Sequence, residues 1–232
     1  MVYCVIMKTW LSTLTIFLAS AHAAAQSFNI DFGVSGNNVV PSSAYGAAAN
    51  QSGFWNAVRP VGQMRDLSGT LTSMTVGGSG GGTFQGNIAG ATGDELAMMS
   101  DCVAGNVLVG DESSFVSFGG LQAGQYRCFI YGWNPDSSSP GYGQYRMWDG
   151  QQVQLNFTSS WPGQQVLNQT YFTKDLTVTN ASERFRVTMI GLGSDAVPRA
   201  TVINGLQIVM IPAPASVAPL GLLALAARRR RG

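Results

Sequence analysis

A serine set among glycines is the first residue of this chain that could do chemistry. Residues 77–81, Gly-Gly-Ser-Gly-Gly, match the G-x-S-x-G pattern of a nucleophile elbow, in which a histidine activates the serine. The only histidine in the sequence is His22, which lies in a segment that we predict to be removed. The glycines also lack the Gly-Lys-Ser/Thr of a phosphate-binding loop. We therefore predict neither serine hydrolysis nor, with so few cysteines, a zinc site.

Carboxylates are the second set of candidates. Asp94-Glu95 and Asp111-Glu112 are neighbours in sequence, whereas the two acids of a glycosidase face each other across roughly 5–9.5 Å. Acids of solvated loops or helix caps explain these pairs better, and a carboxylate-based glycosidase is a distant alternative. A structural Ca²⁺ held by loop carboxylates and carbonyls is a second option, with Asp31, Asp101 and Asp111 as its candidate ligands. No other cofactor is predicted.

The most site-like cluster is an aromatic stretch over residues 131–161. Sugar rings have apolar faces that stack on Trp and Tyr, while Asn, Asp and Arg hydrogen-bond to the hydroxyls. The loop 134–141 would place several such groups at an exposed rim. The alternative is that the tryptophans are core residues of a β protein. The candidate ligand-binding residues are Trp133, Asn134, Asp136, Tyr142, Tyr145, Arg146 and Trp148.

Both ends of the sequence carry targeting signals. Residues 1–25 combine Lys8, a short apolar core and Ala-x-Ala sites, which is typical of a secretory signal peptide. Residues 212–232 begin with Pro212-Ala213-Pro214, continue with an apolar run and end with Arg228, Arg229, Arg230, Arg231 and a glycine. Four arginines favour the cytoplasmic face of a membrane. The apolar run is short and contains prolines, so it predicts a transient anchor.

At these residues the tail resembles the PEP-CTERM proteins, which are exported bacterial proteins sorted by an exosortase. Their tail is a Pro-Glu-Pro motif, a hydrophobic helix and an Arg cluster; here Ala213 replaces the glutamate. The resemblance implies that the secretion machinery and an exosortase-type enzyme are partners. It also implies that the precursor is held transiently in the inner membrane and cut near residues 212–216. The mature protein would then be extracellular or bound to the cell surface.

Removal of both ends leaves residues 26–211, which contain eight Lys and Arg residues and twelve Asp and Glu residues. This acidic balance argues against a nucleic-acid partner. Cys102 and Cys128 are the remaining cysteines. In an exported chain they predict one disulfide, with two buried thiols as the alternative.

For residues 26–211, called here the body, we predict an all-β fold. It is a single β-sandwich or jelly roll with one short helix, flanked by the signal helix and the hydrophobic tail. Alternating apolar residues and frequent turn signals favour many short strands, and a helix is expected over 94–102. The predicted strands are 27–32, 67–76, 106–109, 114–118, 125–133, 144–148, 151–157, 170–179, 184–190 and 202–210.

The body is also similar to the jelly-roll, galactose-binding-like domains found ahead of such tails. The similarity rests on residues 28–33, 98–101, 120–126, 131–132 and 204–209. It implies a non-catalytic surface or matrix protein that binds extracellular polysaccharide. The alternative is a structural, self-associating surface protein without a small ligand.

Overall fold

The computed structural model describes residues 26–33, 39–59, 61–80, 82–86, 88–106, 108–134, 141–157, 160–192 and 200–213. The predicted signal peptide, Asp136 and the tail from Pro214 onwards lie outside these ranges. Within them, no helix is long and apolar enough to cross a bilayer.

The prediction of an all-β sandwich is confirmed. The strands are β1 (Phe28–Phe32), β2 (Trp55–Val58), β3 (Gly62–Arg65), β4 (Leu71–Ser79), β5 (Gly82–Gln85), β6 (Asp101–Ala104), β7 (Phe115–Gly119), β8 (Gly124–Tyr131), β9 (Gly141–Arg146), β10 (Gln152–Phe157), β11 (Tyr171–Val178), β12 (Arg184–Ile190), β13 (Val202–Ile203) and β14 (Gly205–Ile211). Helix α1 spans Gly93–Met99, and a 3₁₀ turn spans Ala47–Ala49.

Three sheets contain these strands. The five-stranded sheet has the order β11-β8-β14-β1-β2, and the six-stranded sheet has the order β10-β9-β12-β7-β4-β3. A small sheet, β13-β6-β5, lies beside them. The pairs between neighbouring strands are antiparallel except for β1 and β2, which run parallel.

The core follows from alternation along the strands. In β8, Tyr126, Cys128 and Ile130 are buried, whereas Gln125 and Arg127 are exposed. Strand β12 has the predicted bounds and buries Phe185, Val187 and Met189. Successive side chains of a strand point to opposite faces, so one face of β8 and of β12 supplies the core.

The alternation of Phe28, Ile30 and Phe32 with polar residues predicts a half-buried strand over 27–32, but all five residues of β1 are buried. Asn29 and Asp31, which we expected to face solvent, are both fully buried. The segment 39–53 covers the outer face at Asn29, through hydrogen bonds from Gln51. A strand buried on both faces needs partners for its polar residues.

The predicted strand 106–109 is wrong. Leu108 and Val109 are exposed, and the chain turns here. Asp111 organises this turn by accepting hydrogen bonds from the Ser113 N–H and from Asn106 Nδ2.

Candidate functional site

The predicted aromatic cluster is mostly core. The Trp133 side chain is only 3% exposed and packs edge-on against Trp161 and Phe157. Tyr145 is fully buried, and its hydroxyl donates a 2.7 Å hydrogen bond to the Val202 carbonyl. Neither ring is available to stack on a sugar, so the core alternative describes both residues.

The other predicted binding residues are not gathered on one surface. Trp148 is half-buried and packs edge-on against Phe118 and Phe185. Arg146 makes a 2.7 Å ion pair with Glu112. Tyr142 is exposed and Asn134 is half-buried, on either side of residues 135–140. Tyr142 therefore has the exposure that a stacking residue needs.

The five-stranded sheet has two distinct ends. At the first, called here the terminal end, β1 begins and β14 finishes, with Phe28 opposite Ile208. At the second, called the far end, β1 and β2 finish together with Phe32 opposite Val58, and β14 begins at Gly205. The small sheet lies at the far end, because β13 directly precedes β14.

A cavity of about 340 Å³ opens at the far end. It is lined by Arg59, Gly80, Gly82, Thr83 and Val103. Arg59 directly follows β2, and Thr83 pairs with Val103 across β5 and β6. A guanidinium, a hydroxyl and glycine main chain beside one apolar wall can hydrogen-bond to hydroxyl or acidic groups of a ligand. Sequence reasoning missed this cavity, because its residues come together only through the pairing of the small sheet.

The serine of the G-x-S-x-G match, Ser79, is the last residue of β4. It pairs with Phe115 of β7, so it lies in a sheet and not at a strand-to-helix turn. A nucleophile elbow requires a turn between a strand and a helix, and Ser79 does not lie at such a turn.

The acidic pair at the start of α1 has structural partners. Asp94 accepts hydrogen bonds from the main-chain N–H and the hydroxyl of Ser42. Glu95 accepts a 2.7 Å hydrogen bond from Gln165 Nε2, and burial raises its pKa. These two acids connect the helix to the loops around Ser42 and Gln165.

Asp31 and Asp101, two of the three candidate calcium ligands, lie close together and are buried. Burial, and next the negative charge of Asp101, raise the pKa of Asp31 well above its usual range. The third candidate, Asp111, is not with them: its exposed carboxylate bonds to the Ser113 N–H, which lowers its pKa. Within the described residues, no three His, Cys, Asp or Glu side chains converge on a metal position, and Asp111 lies apart from the other two candidates.

The predicted disulfide is not formed. Cys102 and Cys128 are both buried thiols. Cys102 packs with Ala104 and Val202 of the small sheet, whereas Cys128 belongs to the main core on β8. Burial raises the pKa of the Cys128 thiol, which suppresses the reactive thiolate. The alternative of two buried thiols is the one that the fold adopts.

Comparison with known proteins gives only remote similarities. No protein-family model matches the chain, and no curated protein is similar to it. Among solved structures, it resembles the ANXUR1 extracellular domain from Arabidopsis thaliana at 13% identity, covering 80% of this chain and 48% of that one, with a TM-score of 0.48. It also resembles CBM35 from Cellvibrio japonicus Abf62 at 18% identity, covering 55% of this chain and 81% of that one, with a TM-score of 0.32.

A Bacillus subtilis protein is similar at 14% identity, covering 80% of this chain and 40% of that one, with a TM-score of 0.42. The chain spans less than half of the Bacillus subtilis protein and of the ANXUR1 domain.

Proposed function

We propose that this chain is an exported, non-catalytic surface or matrix protein that binds extracellular polysaccharide at its far end. The observation that carries the proposal is the match between the boundaries of the fold and those of the two targeting segments. Strand β1 begins at Phe28, just after the predicted signal peptide, and β14 ends at Ile211, just before Pro212. Cuts at both positions would leave every described strand in place.

The two targeting segments would leave the domain at the same place. The Ser27 hydroxyl accepts a hydrogen bond from the Met210 N–H, so the two chain ends lie side by side at the terminal end. A precursor held by its tail would keep this end towards the membrane. The far end, with its cavity, would then face outwards, where a polymer can reach it.

The lining of the cavity favours binding over hydrolysis. Among the described residues that line it, Arg59 and Thr83 carry the polar side chains and none is a carboxylate. A glycosidase needs two acids across the scissile bond. The buried pair Asp31 and Asp101 is closed to a polymer, since both are 2% exposed or less.

Export is tested by fractionating the source cells and measuring the intact mass of the protein. We expect a species that lacks about 25 residues at the N-terminus and about 20 at the C-terminus, outside the cytoplasm. A full-length chain dissolved in the cytosol would contradict the proposal.

Binding is tested by affinity electrophoresis of the mature domain in gels that contain neutral or acidic polysaccharides. Arg59→Ala and Thr83→Val should abolish the retardation. Arg184→Ala is the matched control, because Arg184 begins β12 opposite Gly119, away from the cavity, and this variant should bind as the wild type does.

Absence of retardation with every polymer, combined with concentration-dependent self-association in ultracentrifugation, would favour the structural surface protein instead. If the Arg59→Ala variant is retarded as strongly as the wild type, the binding surface lies elsewhere. Tyr142 would then be the next residue to substitute.

A further inference from the structure

The carboxylate of Asp31 is in an unusual position for a β-strand residue. Asp31 is fully buried, and neither of its oxygens has a hydrogen-bond partner among the described residues. It lies opposite Gly205 in the β1–β14 pair, and opposite residues of such a pair project to the same face. A Cβ at Gly205 would be 3.5 Å from Met98 Cγ, so α1 covers this face. The carboxylate is therefore enclosed between the sheet and the helix.

A charged carboxylate in such a place is strongly unfavourable. Removing an ion from water costs several kcal/mol unless another charge or hydrogen bonds compensate it. Here the neighbouring charge is another carboxylate, that of Asp101 at the start of β6, so it has the same sign and adds to the cost. The described residues give the Asp31 carboxylate no such compensation.

We propose that Asp31 and Asp101 bind one divalent, oxygen-preferring cation, for which Ca²⁺ is the probe. A charge of +2 neutralises both carboxylates at once, and Ca²⁺ completes its shell with main-chain carbonyls and water. The main chain beside Asp101 is held in place, because the carbonyls of Met99 and Asp101 both accept hydrogen bonds from Asn204 Nδ2, at 2.9 and 2.8 Å.

The cation would have a clear structural consequence. It would join strand β1 of the five-stranded sheet, through Asp31, to the unit of α1 and β6, through Asp101. Strand β6 also supplies Val103 to the far-end cavity, so the cation would fix one wall of that cavity. The site is independent of whether the cavity binds a polysaccharide.

The test is metal content and thermal unfolding of the mature domain. Protein purified without chelator should contain about one Ca²⁺ per chain by mass spectrometry of the elements. After EDTA treatment, Ca²⁺ at a hundredfold excess over its Kd should raise the Tm by about 5–10 °C. Asp31→Asn and Asp101→Asn should lose both the bound metal and the Tm shift. Asp111→Asn is the matched control and should keep both, because Asp111 lies in an exposed turn.

The competing outcome is that the pair shares a proton. In that case no metal would be bound, Ca²⁺ and Mg²⁺ would leave the Tm of the wild type unchanged, and the proposal would be overturned. If Asp31→Asn fails to fold, the metal content and the Ca²⁺-dependent Tm of the wild type still decide the question. Binding that Asp31→Asn and Asp101→Asn both retain would also overturn it.

Discussion

Asn29 and Gln207 face each other across the β1–β14 pair, and Gln207 Nε2 donates a 2.8 Å hydrogen bond to Asn29 Oδ1. Both side chains are fully buried. Gln51 Nε2 donates to the same oxygen at 2.9 Å, and the Tyr131 hydroxyl donates to Gln207 Oε1. Because Gln51 belongs to the loop that covers β1, this amide cluster attaches the loop to the outer face of the sheet.

Gln207→Leu should therefore be strongly destabilising. It removes the acceptor of the buried Tyr131 hydroxyl and one of the two donors to Asn29 Oδ1, and an unsatisfied buried group costs about 1–3 kcal/mol. The free energy of unfolding from urea titration measures the loss. Gln152→Leu is the control, since Gln152 is exposed on β10, and we expect a change within about 0.5 kcal/mol. Equal effects of the two substitutions would contradict the role of the cluster.

The burial of Trp133 leads to a second prediction, about the stability of the domain. Trp133→Ala should cost about 3–5 kcal/mol of stability, because it leaves a cavity between Trp161 and Phe157. Tyr142→Ala, at an exposed aromatic, should change stability by less than about 0.5 kcal/mol. Urea unfolding of both variants tests the assignment. A mild effect of Trp133→Ala would return this residue to the candidate binding surface.

The cysteines give a prediction about labelling. In the folded domain, Cys102 and Cys128 should resist a thiol reagent, because both are buried. After unfolding in denaturant without reductant, both should react, and the intact mass should increase by two labels. An unfolded protein that takes up no label until a reductant is added would contain the disulfide, against this structure.

A surface ion pair predicts a small dependence of stability on pH. Arg127 contacts Asp175 through two hydrogen bonds of 2.7 and 2.9 Å, which lower the pKa of Asp175. A carboxyl whose pKa is lower in the folded state stabilises above its unfolded pKa of about 3.9, and this contribution is lost as the pH falls through the folded value.

Asp175→Asn should thus cost less than about 1 kcal/mol at pH 7, because both side chains are half exposed. The difference from the wild type should shrink as the pH falls below about 4. Urea titrations over this range measure it, and the double variant with Arg127→Gln gives the coupling. A difference that stays constant with pH would show that the ion pair is not its cause.

Several elements could be predicted because their signal is local. Strand β12 has the predicted bounds, since Phe185, Val187 and Met189 alternate with polar residues. Helix α1 begins one residue before the predicted Asp94 but ends at Met99, because residues 101–104 pair with β5 and β13 instead. Strands β3 and β5 were missed, because each has only four residues and begins with a glycine, which is depleted in strands.

The sequence by itself determined the class of fold, the absence of histidine chemistry in residues 26–211 and the prediction of two targeting segments, because each depends on composition or on neighbouring residues. Only the tertiary structure decided that Trp133 and Tyr145 are core, that the two cysteines lie in separate clusters and that Asp31 meets Asp101. Alternation predicts that a side chain leaves one face of a strand, but it does not predict what covers that face. The outer face of β1 is covered by the segment 39–53 and by α1, which are separate from it in sequence. Asn29 and Asp31, which alternation alone places on an exposed face, are therefore buried.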